Sequence, residues 1–195
     1  MTSLNSDCSV QNDMHVTEES KLVRRAKSGD LPAFESLYRL YNTRLFNFAR
    51  QITCSPDDAA DVVQETFIKA WNALPRLKSD SVFGAWLHRI ALNVARDTLR
   101  KRPILSDPEQ MEPGDCEPGP EHSLISAESG NAVRRAVSTL KEEHRLVVTM
   151  HYMEGMGVHA IAEVMGVPKG TVMSRLSRAR EILRRKLAPY MEVTQ

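Results

Sequence analysis

Residues 103 to 128, PILSDPEQMEPGDCEPGPEHSLISAE, prevent this chain from folding around one uninterrupted helical core. Five prolines break any helix begun there, and no apolar period of 3.6 or 2 runs through the stretch. Its composition buries too little apolar surface to offset the entropy of ordering it, so it reads as a flexible acidic linker. From Pro103 to Val133 there is no Lys or Arg, whereas Asp107, Glu109, Glu112, Asp115, Glu117, Glu121 and Glu128 all fall there. The net charge of +1 therefore averages an acidic middle with basic flanks, and local charge is what attracts a polyanion.

The flanks set the fold class as all-α: two small helical domains joined by that linker. The expected boundaries are a disordered N-terminus at 1–15, a first domain at 16–102, the linker at 103–128, a second domain at 129–188 and a tail at 189–195. A hydrophobic fraction of 42% is enough for two cores, and an aromatic fraction of 6% with only 9 glycines favours helices over a β-sandwich. No apolar run is long enough to span a bilayer, and the first residues lack the basic-then-apolar order of a signal peptide. Cys8, Cys54 and Cys116 show no C-x-x-C spacing and read as reduced thiols of a cytoplasmic protein. His144 and His151 share one predicted helix but suggest no third ligand, so neither metal nor cofactor is expected.

In the first domain a helix over 18–28 stops at Gly29-Asp30, and Leu31-Pro32 opens a second with a dense apolar pattern from Phe34 to Phe48. Ser55-Pro56-Asp57-Asp58 is a helix start: an N-cap serine, a proline in the first turn, then acids favoured by the helix dipole. The helix it opens places Ala59, Val63, Thr66, Ala70 and Leu74 inward. Asp57, Asp61, Gln64, Glu65 and Ile68 line the opposite side. An acidic stripe alone is ordinarily a solvated face; Ile68 within it points to protein docking.

After the connector Pro75 to Ser81, a helix over 82–102 turns Phe83, Leu87, Ile90, Val94 and Thr98 inward. Its far side aligns Arg89, Asn93, Arg96 and Arg100, with Lys101 adjacent. Guanidiniums at this spacing can follow a phosphate backbone while the amide meets a base. Asp97 accounts for one arginine by an intrahelical pair, not for the row. A second such surface comes from residues 157–180, GVHAIAEVMGVPKGTVMSRLSRAR. Ala162, Gly166 and Val172 have the spacing of a helix-turn-helix: close crossing, a turn with positive φ, and a plug between the helices. Val172, Leu176, Ala179 and Leu183 then share the inner face, leaving Gly170, Ser174, Ser177, Arg178, Glu181 and Arg185 outside.

These motifs resemble a known family. DAADVVQETFIKAW (58–71) is similar to the second conserved region of the extracytoplasmic-function (ECF) sigma factors, group IV of the primary-sigma superfamily, and FGAWLHRIALNVARD (83–97) to the segment that follows. LKEEHRLVVTMHYMEG (140–155) and the helix-turn-helix resemble the fourth region, in the expected order. The resemblance covers residues 18 to 188.

It implies a non-enzymatic initiation subunit that joins the β′ and β subunits of bacterial core RNA polymerase and promoter DNA. It further implies control by an anti-sigma factor, which would hold this cytoplasmic protein at the inner membrane face. By the same resemblance Asp57, Asp61, Gln64, Glu65 and Ile68 dock the β′ coiled coil. The connector, with Arg76, Lys78 and Ser79, captures an unstacked base of the -10 element, while Arg89, Asn93, Arg96, Arg100 and Lys101 hold its upstream edge. Met173, Ser174, Ser177 and Arg178 read the -35 element, with Lys169, Thr171 and Arg175 near phosphates, and the acidic linker occupies the polymerase's basic channels. The chain departs from the family pattern at Gly157-Val158-His159-Ala160, where a serine and acids are common, and at Met173, where a basic residue is common.

Two other classes compete. A stand-alone helix-turn-helix activator would bind DNA without polymerase, but usually carries an α/β receiver or ligand domain that 16–102 does not resemble. A nuclease using Asp57, Asp61 and Glu65 as metal ligands lacks a second convergent cluster.

Overall fold

The computed structural model describes residues 18–101 and 127–191, and among them every regular element is helical. The expected N-terminal disorder and the acidic linker lie outside the described residues, apart from the linker's last two positions. Helix α1 (residues 18–27) ends where Gly29 takes a φ of +91°. Helix α2 (Leu31–Thr53) starts because the Asp30 carboxylate accepts from the Ala33 N–H at 3.2 Å, with a proline in the first turn. Helix α3 (Pro56–Ala73) is capped in the same way by Ser55, whose hydroxyl accepts from the Asp58 N–H at 3.2 Å; such a cap is worth about 1 kcal/mol.

The sequence-expected inner face of α3 holds throughout: Ala59, Val63, Thr66, Ala70 and Leu74 are all buried. Phe34 packs on Phe67 and Trp71, at ring distances of 6.0 and 4.8 Å, which locks α2 to α3. Two short 3₁₀ turns, Leu74–Arg76 and Asp80–Val82, carry the chain into α4 (Phe83–Lys101).

The C-terminal unit comprises α5 (Ala127–Ser138), α6 (Glu142–Val148), a π turn (Thr149–Met153), α7 (Val158–Met165) and α8 (Lys169–Met191). α8 continues three residues past the expected domain end at 188. Val137, Leu140, Val148 and Ala179 form a small core of α5, α6 and α8. Arg145 is buried beside it, and one of its terminal nitrogens donates to the carbonyls of Ser138 and Leu140 at 3.1 and 3.4 Å. These bonds satisfy carbonyls at the end of α5, and burial pulls the guanidinium pKa below its usual range.

The two units also pack on each other, which the sequence did not lead us to expect. α4 lies against α7 and α2 against α6, so Leu146, Met150, Ile161 and Met165 share one apolar cluster with Leu87 and Leu92. α4 is consequently buried on two sides. One side is the expected row through Phe83, Leu87 and Val94; the other runs through His88, Leu92 and Ala95, about 100° further round the helix.

Candidate nucleic-acid interface

The helix-turn-helix follows from local geometry. Gly166 ends α7 in the left-handed region, φ 65° and ψ 35°, and its N–H donates to the Ala162 carbonyl. A Cβ there would be strained by backbone conformation rather than by crowding, since nothing lies within 4 Å. Ala162, Val172, Leu176 and Ala179 are buried, so the second helix is seated as its periodicity predicts. The first helix starts at Gly157 without a side-chain cap, consistent with the missing serine.

On α8, Lys169, Met173, Ser174, Ser177 and Arg178 are exposed, and Thr171 and Arg175 are half-buried. Met173 is 60% exposed. The Arg175 guanidinium is already engaged by Glu143 of α6 at 2.6 Å.

On α4, Arg89, Asn93, Arg96, Arg100 and Lys101 are all exposed along the side turned from both buried rows. Arg100 pairs with Asp97, the intrahelical bridge the sequence suggested. Arg96 instead lies 3.8 Å from Glu142 of the C-terminal unit.

The connector is held from behind. The Lys27 ammonium donates to the Leu77 carbonyl at 2.7 Å and to Asp80 at 3.0 Å, and Arg24 lies 3.5 Å from the same carboxylate. The hydrogen bond from Lys27 is the main reason the Asp80 carboxyl sits below its ordinary pKa. Arg76, Lys78, Ser79 and Ser81 remain exposed, with the two serine hydroxyls 3.0 Å apart. Lys27 and Asp80 were missed in the sequence because they are more than 50 positions apart and carry no local pattern.

On α3, Asp57, Asp61, Gln64 and Ile68 are exposed, and half-buried Glu65 pairs with Lys69 at 2.8 Å. Ile68 is 55% exposed. Tyr38, which the sequence places only in the apolar pattern of α2, meets Phe67 with tilted rings 4.7 Å apart and is itself exposed. Its spacing of four from Phe34 was the available signal. The stripe lies on α3, the basic row on α4 and the third surface on α8; the neighbouring Glu142 and Glu143 of α6 contact Arg96 of the α4 row and Arg175 of α8.

One expectation is corrected. Cys54 is disulfide-bonded, not a free thiol, while Cys8 and Cys116 lie outside the described residues. The absence of C-x-x-C spacing excludes only local pairing, so thiol counting no longer argues for a compartment. Among the described residues no helix is long and apolar enough to cross a membrane.

Comparison with known proteins joins these surfaces. Residues 37–103 match sigma-70 region 2 and residues 130–183 match sigma-70 region 4. The ECF RNA polymerase sigma-E factor of Escherichia coli (strain K12) is 37% identical over 181 residues, spanning 87% of this chain and 94% of the relative. That of Haemophilus influenzae is 34% identical over 185 residues, spanning 89% and 97%. Among solved structures, CnrH in complex with the cytosolic domain of CnrY superposes with a TM-score of 0.64 at 28% identity, covering 91% of this chain and 99% of that one. The sigma factor RpoE with the anti-sigma factor NepR from Bartonella quintana gives 0.63 at 26% identity, covering 80% and 96%.

An all-α pair of units with region 2 and region 4 in this order defines a sigma-70-type transcription initiation factor. The chain belongs to the ECF family of RNA polymerase sigma factors.

Proposed function

We propose that this sigma factor docks core RNA polymerase through the α3 stripe and places two DNA-reading surfaces on one promoter. Asp57, Asp61, Gln64, Glu65 and Ile68 meet the β′ coiled coil. The observation that carries this is Ile68, exposed within an acidic row whose opposite side is fully packed. A solvated face has no need of a large apolar side chain there, whereas an interface gains from its burial.

Arg76, Lys78 and Ser79 on the connector, and Arg89, Asn93, Arg96, Arg100 and Lys101 on α4, engage the -10 element. Capture of a flipped base by the connector shifts the duplex toward the open strand, against an unstacking cost of a few kcal/mol. Met173, Ser174, Ser177 and Arg178 read the -35 element, with Lys169 and Thr171 near phosphates. Arg175 reaches a phosphate only by leaving Glu143. Each surface alone binds DNA modestly and with steep salt dependence; held together on polymerase, they engage at high effective concentration. Bond-making chemistry belongs to the polymerase, and the protein acts in the cytoplasm.

We place an anti-sigma factor over the 57–68 stripe; that a structural neighbour forms a complex with an anti-sigma factor supports the existence of such a partner. Intact anti-sigma binding by Asp61→Arg together with Gln64→Ala would count against that placement. The test of the main reading is transcription in vitro with core polymerase and a promoter library. Promoter-specific initiation that disappears in Asp61→Arg/Glu65→Arg supports it; DNA binding with no core-dependent initiation favours the stand-alone activator.

A further inference from the structure

Helix α1 carries Lys21, Arg24, Arg25 and Lys27, and three of these cations are held closely. Lys21 pairs with Glu18 at 2.7 Å, Arg25 with Asp30 at 2.8 Å and Lys27 with Asp80 at 3.0 Å. Arg24 is held differently. Among the described residues its guanidinium makes one contact, from Nε to Oδ2 of Asp80 at 3.5 Å, and its side chain is 77% exposed. The terminal nitrogens Nη1 and Nη2 donate to nothing among those residues. Together they form one edge of the planar fork that matches two oxygens of a phosphate or carboxylate.

The anchor of that fork is itself fixed. Lys27 donates to Asp80 Oδ1 at 3.0 Å and to the Leu77 carbonyl at 2.7 Å, so Asp80 has one oxygen on Lys27 and the other on Arg24. The Lys27 bond holds the carboxyl below its ordinary range, which keeps it ionised at neutral pH. Arg24 is thus tethered against the connector at Nε while its outer edge stays free. A tethered side chain loses less rotamer freedom on meeting a ligand than a loose one. Asp80 is the one acid between Leu74 and Val82, and Lys27 already offsets it. Arg76 and Lys78 are exposed in the same connector, so the local field favours an anion.

We propose that Arg24 is a promoter-contact residue: tethered by Asp80, it grips a backbone phosphate beside the nucleotide whose base the connector captures. This rests on the base capture proposed above. A nucleotide drawn onto the connector brings its two flanking phosphates to the rim of the loop, where Arg24 stands. The contact adds no base preference of its own; it fixes the register of the strand while the connector meets the base. Asp80 acts through Arg24, as a positioning residue.

Equilibrium competition tests this, with the full chain on core polymerase and a promoter fragment held open over the -10 element. Each non-template phosphate is replaced in turn by an uncharged methylphosphonate. One linkage beside the captured base should weaken wild type several-fold and leave Arg24→Ala, already weakened to the same degree, indifferent. Arg24→Ala should also lower the salt slope by about 0.7, the value for one contact to a single strand. Arg24→Lys keeps the charge without the fork, and should restore the slope but only part of the affinity. Asp80→Asn should keep the slope and lose the sensitivity to that one linkage. Wild-type affinity and slope in Arg24→Ala, or additive losses from the variant and the linkage, would overturn the proposal. Weaker binding of Arg24→Ala to core polymerase without DNA would also overturn it, and would assign the fork to an acidic protein surface. A wild-type holoenzyme that binds the promoter fragment no better than a scrambled one would overturn base capture and this contact together.

Discussion

The Arg175 guanidinium lies 2.6 Å from the Glu143 carboxylate, binding the recognition helix to the first turn of α6. The arginine is only 20% exposed. We therefore expect Arg175→Ala to lower stability by about 1 kcal/mol in urea titrations while changing -35 DNA affinity less than Arg178→Ala does. Arg178 is exposed and should cost about 1–3 kcal/mol of binding if it reads a base edge. A larger binding loss for Arg175→Ala would reassign it to the DNA.

Gly84 on α4 allows Tyr41 to approach the helix backbone. A Cβ at this position would stand 2.6 Å from the Tyr41 hydroxyl oxygen and 3.3 Å from its ring. Gly84→Ala should destabilise the protein by about 1–3 kcal/mol, the usual range for overpacking. Adding Tyr41→Phe should recover part of the loss, since the closest atom is gone but the ring contacts remain. If the two losses simply add, the close approach is not the cause.

Asp80 ties the connector to α1. Its folded pKa is depressed, chiefly by the Lys27 hydrogen bond, so its stabilising effect is complete above the unfolded value of about 3.9 and fades as pH falls through the folded value. The melting-temperature difference between wild type and Asp80→Asn should therefore hold from neutral pH down to about pH 4 and shrink only below that, as pH falls through the depressed folded value. At pH 7.5, Lys27→Met should hasten tryptic cleavage after Arg76 and Lys78; an unchanged rate would show that Lys27 does not brace this loop.

Along α4, Arg89→Ala, Arg96→Ala and Arg100→Ala should each weaken holoenzyme binding to -10 DNA by a similar factor for every sequence and lower the salt slope by about one. Asn93→Ala should instead relax preference at a single base pair. Equal behaviour of the amide and guanidinium variants in a competition assay would reduce the row to non-specific attraction.

Local chemistry made much of this legible. The Ser55 cap, the inner face of α3 and the Gly166 turn are each written in residues within a few positions of one another, and each formed where expected. The second buried side of α4 was not legible, because His88, Leu92 and Ala95 would suit a partly exposed face equally well until another unit covers them. The same holds for Glu154, whose neighbours His88 and Arg44 come from the other half of the chain. The clamp on Asp80 by Arg24 and Lys27 is likewise a long-range fact without a short-range signature.

Helix α8 runs unbroken for 23 residues, about 34 Å at 1.5 Å per residue. Its first turns present Met173, Ser174, Ser177 and Arg178, and its later turns carry Ile182 and Leu183 against the small core of α5 and α6. One rod is thus both the probe in the groove and the beam on which the unit is assembled. It has no internal joint at which the probe could swivel. A promoter whose two elements were out of phase would have to turn the entire C-terminal unit, so helical phasing between the elements should matter as much as their sequences.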